Sequence, residues 1–242
     1  PLPGIDSEGI FTLRNVADTD NIKSYLNDRS IKRAVVIGAG FIGLEMAENL
    51  HANGAKVSIV EMADQVMTPI DFSMASLVHQ HLMQKGVNLY LSEAVSSFEK
   101  DNDEIKVTFK SGKTITADIV ILSIGVRPET KLAREAGLAI GEAGGIAVNE
   151  YLQTSDENIY AVGDAIEYKH PITGKSWLNY LAVPANRQGR IVADNMVYGN
   201  TISYEGAIGT SIAKVFDMTV ASTGLPAKRL KQANIEYLSS TT

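Results

Sequence analysis

Three glycines, Gly38, Gly40 and Gly43, lie in "AVVIGAGFIGLEMAENL" (34–50), with a carboxylate, Glu61, 18 residues beyond the last of them. Each glycine has a separate physical task. Gly38 permits a tight turn out of a strand, Gly40 lets backbone approach a pyrophosphate, and Gly43 lets the following helix pack closely on the strand. The helix start offers unpaired N–H groups and a partial positive charge to phosphate. A carboxylate at Glu61 accepts hydrogen bonds from both ribose hydroxyls of an adenosine and repels a 2′-phosphate, which favours NADH over NADPH. The competing readings are a glycine turn without ligand and a solvated surface acid.

Four further positions carry chemistry. Gly125 ends the apolar run "IVILSIG", where backbone passes close to something or the strand simply stops. Gly163 and Asp164 end "NIYAVGDA", presenting a carboxylate at the strand edge where open α/β sheets bind ligands; as a helix N-cap, Asp164 would be structural instead. "PANRQGR" (184–190) begins a helix whose first N–H groups face a negative ligand edge, while Arg187 and Arg190 are either ligand-facing or solvated. Glu45 stands one turn into the first helix, as a surface acid or as a carboxylate awaiting a partner. Trp177 and the tyrosines at 151, 160, 168 and 180 read as core and rim packing.

These residues need positioning elements, and the pattern supplies them. Residues 1–20 read as connecting chain, and 18–28 as a short amphipathic helix. "KRAVVIG", uninterrupted by polar residues from Ala34 to Ile37, is a strand buried on both faces, followed by a helix to about Asn53 with Gly54 at its end. "KVSIVE" is the next strand, "FSMASLVHQHLMQK" a helix from Asp71 to Gly86, and "VNLYLS" a third strand. From 94 onward, short polar turns at Asp101–Asp103 and Ser111–Gly112 imply an antiparallel meander, its last strand returning to the central sheet. A short helix at 127–138, a strand at 158–165, a helix at 185–199, and a sheet-like tail from Tyr204 complete the reading.

Composition bounds the function. The chain has 242 residues, 45% hydrophobic and 21% charged, with a formal charge of −6. That balance gives no electrostatic footprint for nucleic acid, no run long enough to span a membrane is present, and a cytoplasmic location is expected. There is no cysteine, so no thiol nucleophile or thiolate metal site, and the four histidines show no metal-ligand spacing. The termini, "PLPGI" and "YLSSTT", read as cut, so a piece of a longer protein is expected.

Together and in this order, "VVIGAGFIGLEMAENL", "VSIVEMADQVM", "DIVILSIGVRPET", "TSDENIYAVGDA" and "PANRQGRIVADNM" resemble the two-dinucleotide flavoprotein disulfide reductases, on the coenzyme A-disulfide reductase, NADH oxidase and persulfide reductase branch. The resemblance implies an α/β fold: a Rossmann-like three-layer NAD(P)-binding domain with an antiparallel meander, plus part of a second, FAD-binding domain. It divides the chain into a connecting segment (1–29), an NADH domain (30–144), the C-terminal part of an FAD domain (145–203) and the start of a dimerisation domain (204–242).

By the same resemblance, Gly38, Gly40, Phe41, Ile42, Gly43 and Glu61 hold NADH, and Gly125 lines the nicotinamide side. Glu45 pairs with a lysine of the flavin domain. Gly163 and Asp164 meet the ribityl chain of FAD, and Ala185, Asn186 and Gln188 abut its ring. It also implies a homodimer acting on coenzyme A disulfide or a related low-molecular-weight disulfide or persulfide, through a redox cysteine that this chain lacks. NADH oxidase or peroxidase chemistry, a ferredoxin reductase-like flavoenzyme, and a non-catalytic NAD-binding module are the alternatives.

Overall fold

In the computed structural model, which describes residues 2–241, the chain divides into two compact units. The first comprises Pro1–Gly125 with Ile212–Val220, the second Val126–Ser211 with Ala221–Thr242.

The first unit begins with β1 (Ile10–Thr12) and α1 (Val16–Asp28), the helix held at its start by an Asn15–Asp18 capping box. There follow β2 (Arg33–Ile37), α2 (Phe41–Ala52), β3 (Lys56–Val60), α3 (Phe72–Gln84) and β4 (Asn88–Tyr90). The meander is β5 (Val95–Asp101), β6 (Glu104–Phe109) and β7 (Thr114–Ala117), and β8 (Ile119–Leu122) returns to the centre. The main sheet has the order β1-β8-β2-β3-β4, all pairs parallel.

Side chains alternate between the faces of a strand, so each face of this sheet needs its own cover. Val36, Ile59 and Ile121 face α2 and α3, where Leu44, Ala47, Val78 and Leu82 meet them. Val35, Val60 and Val120 face the meander and pack on Phe98, Ile105, Val107 and Phe109. Helices, parallel sheet and antiparallel sheet form three layers, as expected. The segment expected to be connecting chain contributes β1, whose residues Ile10–Thr12 pair with Val120–Leu122. A three-residue strand carries too little periodicity to read alone; its partner defines it.

The corner between β7 and β8 is fixed by Asp118. Its carboxylate accepts the Lys32 and Arg33 N–H groups, both at 2.8 Å, and pairs with the Arg33 guanidinium at 2.8 Å. Burial works against ionisation here, but the bonds from Arg33 and Lys32 outweigh it and hold the carboxyl below its ordinary pKa.

The second unit contains α4 (Lys131–Glu135), β9 (Ile146–Ala147), β10 (Ile166–Lys169), β11 (Ser176–Trp177) and α5 (Ala182–Tyr198). Its small core gathers Leu152, Ile166, Tyr168, Ile191 and Tyr204. Two expectations change here. Residues 158–165 form no strand: Tyr160 makes one bridge to Gln153, Val162 is extended, and Gly163–Ala165 close into a 3-10 turn. Apolar residues suggested burial, yet Ile159 and Val162 are more than a third exposed and no ladder flanks them. The helix expected from 185 begins at Ala182, because Pro184 falls in the first turn, where its missing N–H has no intrahelical partner to lose.

The tail supplies β12 (Thr210–Val215), β13 (Met218–Thr223) and α6 (Ala227–Gln232). The tip of this hairpin belongs to the first unit. Val215 is fully buried, Phe216 N–H donates to Glu48 on α2 at 2.9 Å, and Asp217 pairs with Lys85 on α3 at 2.9 Å.

Candidate functional site

The turn from β2 into α2 places the three glycines at the C-terminal edge of the parallel sheet, where open α/β sheets take ligands. Gly38 has φ +99, and its N–H donates to Val60 O at 2.8 Å. A Cβ on Gly43 would lie 2.7 Å from Ser123 Oγ and closer still to the Gly38 carbonyl oxygen, so only glycine lets α2 seat on the strand end. Gly40 differs. Its backbone is extended (φ −78, ψ −171), and a Cβ there would meet nothing within 4 Å. No protein contact demands glycine at this position; the open space beside it does the explaining. Gly40 caps α2 with no side-chain bond, leaving the helix start available to an anion.

Glu61 follows β3 and turns back to this turn. Its Oε2 accepts Ala39 N–H and its Oε1 accepts Ala63 N–H, each at 2.8 Å. Two backbone donors fix the carboxylate, but each oxygen can accept about two bonds, so one site per oxygen remains for a ligand hydroxyl. The side chain is partly buried rather than sealed off. The loop after it is tied to the same turn: Met67 N–H donates to Ala39 O at 2.9 Å, with Met67 at φ +49. Phe41 is half-buried and Ile42 exposed at the start of α2. Glu45 is exposed and takes part in no ion pair among the described residues, the surface reading of local physics. Gly125, at φ +95 with open space where a Cβ would stand, ends the segment after β8.

In the second unit the structure joins two motifs that lie apart in sequence. Gln188, 2% exposed on α5, accepts Gly163 N–H at 2.7 Å through Oε1, and a Cβ on Gly163 would touch Ala185 Cβ at 3.8 Å. Gln188 therefore positions the turn rather than facing outward. Asp164 and Asn186 are exposed beside it. Tyr180 has its hydroxyl pKa raised by burial and, further, by the charge of Asp164, which sets the two near each other. With α5 starting at Ala182, the N–H groups free to meet an anion are those of Ala182 and Val183, not those after Pro184.

Sequence reasoning passed over three residues that build the surroundings of the glycine turn. Ser123 Oγ bridges to Ile37 O at 2.9 Å and Gly38 O at 3.0 Å, clamping the glycine turn; a lone hydroxyl closing the apolar run "IVIL" was the available signal. Ala39 serves through its backbone alone, which leaves no trace in sequence. His79 accepts Val66 N–H, a long-range bond that periodicity cannot disclose. Among the described residues no cluster of ligating side chains could hold a metal ion, and no helix is long and apolar enough to cross a membrane.

Residues 1–194 match the pyridine nucleotide-disulphide oxidoreductase family. The chain is 37% identical over 225 residues to an NAD(P)H sulfur oxidoreductase (CoA-dependent) of Pyrococcus abyssi, covering 93% of this chain and 50% of that protein. It is 35% identical to a coenzyme A disulfide reductase of Staphylococcus haemolyticus, covering 94% and 51%. Among solved structures, reduced CoADR-RHD of Bacillus anthracis superposes with a TM-score of 0.93 at 51% identity, covering 97% of this chain and 42% of that one. The chain thus spans about half the length of the curated relatives it matches. With four fifths of its residues matched, the chain belongs to the pyridine nucleotide-disulphide oxidoreductase family.

Proposed function

We propose that this chain carries the NADH-binding part, and a portion of the FAD-binding part, of a flavoenzyme that reduces a low-molecular-weight disulfide or persulfide such as coenzyme A disulfide. The observation that carries the reading is the open space at Gly40, beside an uncapped helix start and a carboxylate held for ribose. The residues fit the group: the helix start takes the pyrophosphate, and the two unused acceptor sites of Glu61 take the 2′- and 3′-hydroxyls. A 2′-phosphate at the same place would meet a carboxylate already fixed by two N–H groups and unable to swing away, so NADPH is disfavoured.

When bound, NADH and FAD supply the hydride chemistry. This chain's residues orient and shield them. Gly125 leaves room on the nicotinamide side, and the turn Gly163–Asp164, held by Gln188, offers a carboxylate to the flavin's ribityl hydroxyls, with Ala185 and Asn186 alongside. Glu45 is exposed at a position suited to pairing with a cation from the flavin half. The chain has no cysteine, so the disulfide step falls to residues outside it. The functional division we propose assigns 30–144 to NADH, 145–203 to FAD and 204–242 to dimerisation in a cytoplasmic homodimer; the names of the relatives support the substrate class.

Titration of NADH and NADPH against wild type and Glu61→Ala tests the cofactor assignment. Wild type is expected to prefer NADH at least about tenfold, or ~1.4 kcal/mol, and the variant to lose most of that preference. Equal affinity of wild type for the two nucleotides would refute the reading.

A further inference from the structure

His79 lies on α3, 8% exposed, and its Nε2 accepts the Val66 backbone N–H at 3.1 Å. A backbone N–H can only donate, so Nε2 carries no proton and the ring is neutral with its proton on Nδ1. Val66 belongs to the loop that leaves Glu61 and returns to α3, and that loop is fixed at several further points. Ala63 N–H binds Glu61, Ser92 N–H binds Ala63 O, Met67 N–H binds Ala39 O, and the buried Gln65 amide donates to Ile70 O. Met67 and Ser92 both hold positive φ, at +49 and +56. Non-glycine residues take that conformation at a cost and keep it only where neighbouring bonds impose it, as happens at ligand-holding sites. His79 contributes the bond at the centre of this loop.

We propose that His79 is a positioning residue for the adenosine half of the nicotinamide cofactor: as a neutral imidazole it holds Val66, and through the loop it keeps Glu61 and Ala63 set against the glycine turn. The inference rests on the nucleotide site proposed above. It carries a pH dependence of definite sign. Burial disfavours the charged ring and lowers its pKa, and the charge of Asp64, the group on the loop that acts on it, opposes this in part. Phe72 packs against the ring at 5.9 Å and brings no charge. Above the ordinary imidazole pKa of about 6.5 the ring is neutral and the loop is held. As pH falls through the lowered pKa, protonation sets an Nε2–H against the Val66 N–H, two donors face to face, and the loop is released.

The test uses the full 242-residue chain and ADP-ribose, an acid-stable probe of the adenosine half, titrated calorimetrically from about pH 8 down to about pH 5.5. Wild-type Kd is expected to rise toward tenfold per pH unit below the imidazole pKa, the limit for one linked proton. His79→Gln, whose amide oxygen accepts without titrating, is expected to bind within about threefold of wild type near pH 8 and to show no acid limb. Should that variant fail to fold, the wild-type imidazole is followed by NMR; saturating ADP-ribose is expected to lower its pKa. An acid limb retained in His79→Gln, or an imidazole pKa indifferent to ADP-ribose, would overturn the role of His79 while leaving the nucleotide site standing. No binding of ADP-ribose near pH 8 would overturn the site itself, and the inference with it.

Discussion

Gly40 and Gly43 stand three residues apart and have opposite expected responses to one added methyl group. In Gly43→Ala the new carbon lies 2.7 Å from Ser123 Oγ and 3.0 Å from Gly38 C, and closer still to the Gly38 carbonyl oxygen. Two of these obstacles are backbone, so α2 or the turn must move by several tenths of an ångström or more. Overpacking of this kind costs about 1–3 kcal/mol. Displacing Ser123 also weakens the single O–H bond it shares between Ile37 O and Gly38 O, at about 0.5–1.5 kcal/mol. The expected loss is about 1.5–4.5 kcal/mol, which for a chain of this size lowers Tm by roughly 3–18 °C. In Gly40→Ala the carbon meets nothing, and φ −78 is open to any residue. Alanine is a poorer N-cap than glycine by some tenths of a kcal/mol, and the stiffer unfolded chain returns a similar amount, so Tm is expected to stay within about 2 °C. The methyl instead enters the open space proposed above for the pyrophosphate. Losing one charge-assisted bond from the helix start costs about 1.5–3 kcal/mol, so Kd for NADH is expected to rise at least about tenfold. Thermal melts and a fluorescence titration of both variants decide it. Gly40→Ala binding NADH as wild type does, or Gly43→Ala melting with wild type, would refute the division of labour.

Asp118→Asn should destabilise the chain by about 2–3 kcal/mol in thermal or urea unfolding, since it removes a charged acceptor serving three donors. Because the folded carboxyl is held below its ordinary pKa, that stability is present above about pH 4 and is lost as pH falls through the lowered value. The gap between variant and wild type should therefore narrow below about pH 4. Gln188→Leu leaves the Gly163 N–H without its acceptor and should cost about 1–3 kcal/mol, read as faster exchange of the Gly163 amide. Glu48→Ala should free the Phe216 N–H at φ +55 and raise hydrogen exchange over 213–220 by roughly tenfold, without moving the β2–β3 core amides.

Much of the first unit was legible because its signals are local. The unbroken apolar run of β2 marks a strand covered on both faces, and the short polar turns of the meander dictate antiparallel pairing. Gly54 and Gly86 end their helices with positive φ, as their placement implied. What escaped was nonlocal. The three residues of β1 take their identity from β8, and the roles of Ser123 and His79 exist only across the folded turn. Residues 158–165 misled because hydrophobicity reports a preference for burial and says nothing of a neighbouring strand. At the candidate site, the glycine spacing marked the turn from β2 into α2, and the position of Glu61 after β3 was readable too. That Glu61 is locked by Ala39 and Ala63 was not, because backbone donors carry no residue type.

The hairpin tip gives the first unit an order of assembly. Glu48 and Phe216 meet across 168 residues of sequence, so α2 and α3 wait for a piece made long after them. At roughly 5–20 residues per second, synthesis of the intervening segment takes on the order of ten seconds. Throughout that interval the apolar cluster that Val215 and Phe216 join lacks their cover, with Glu48, His51, His81 and Lys85 around the gap. Closing so long a loop is entropically dear but grows only slowly with length, so docking is late rather than weak. A nascent chain halted before Ile212 would display that gap to chaperones and to other copies of itself.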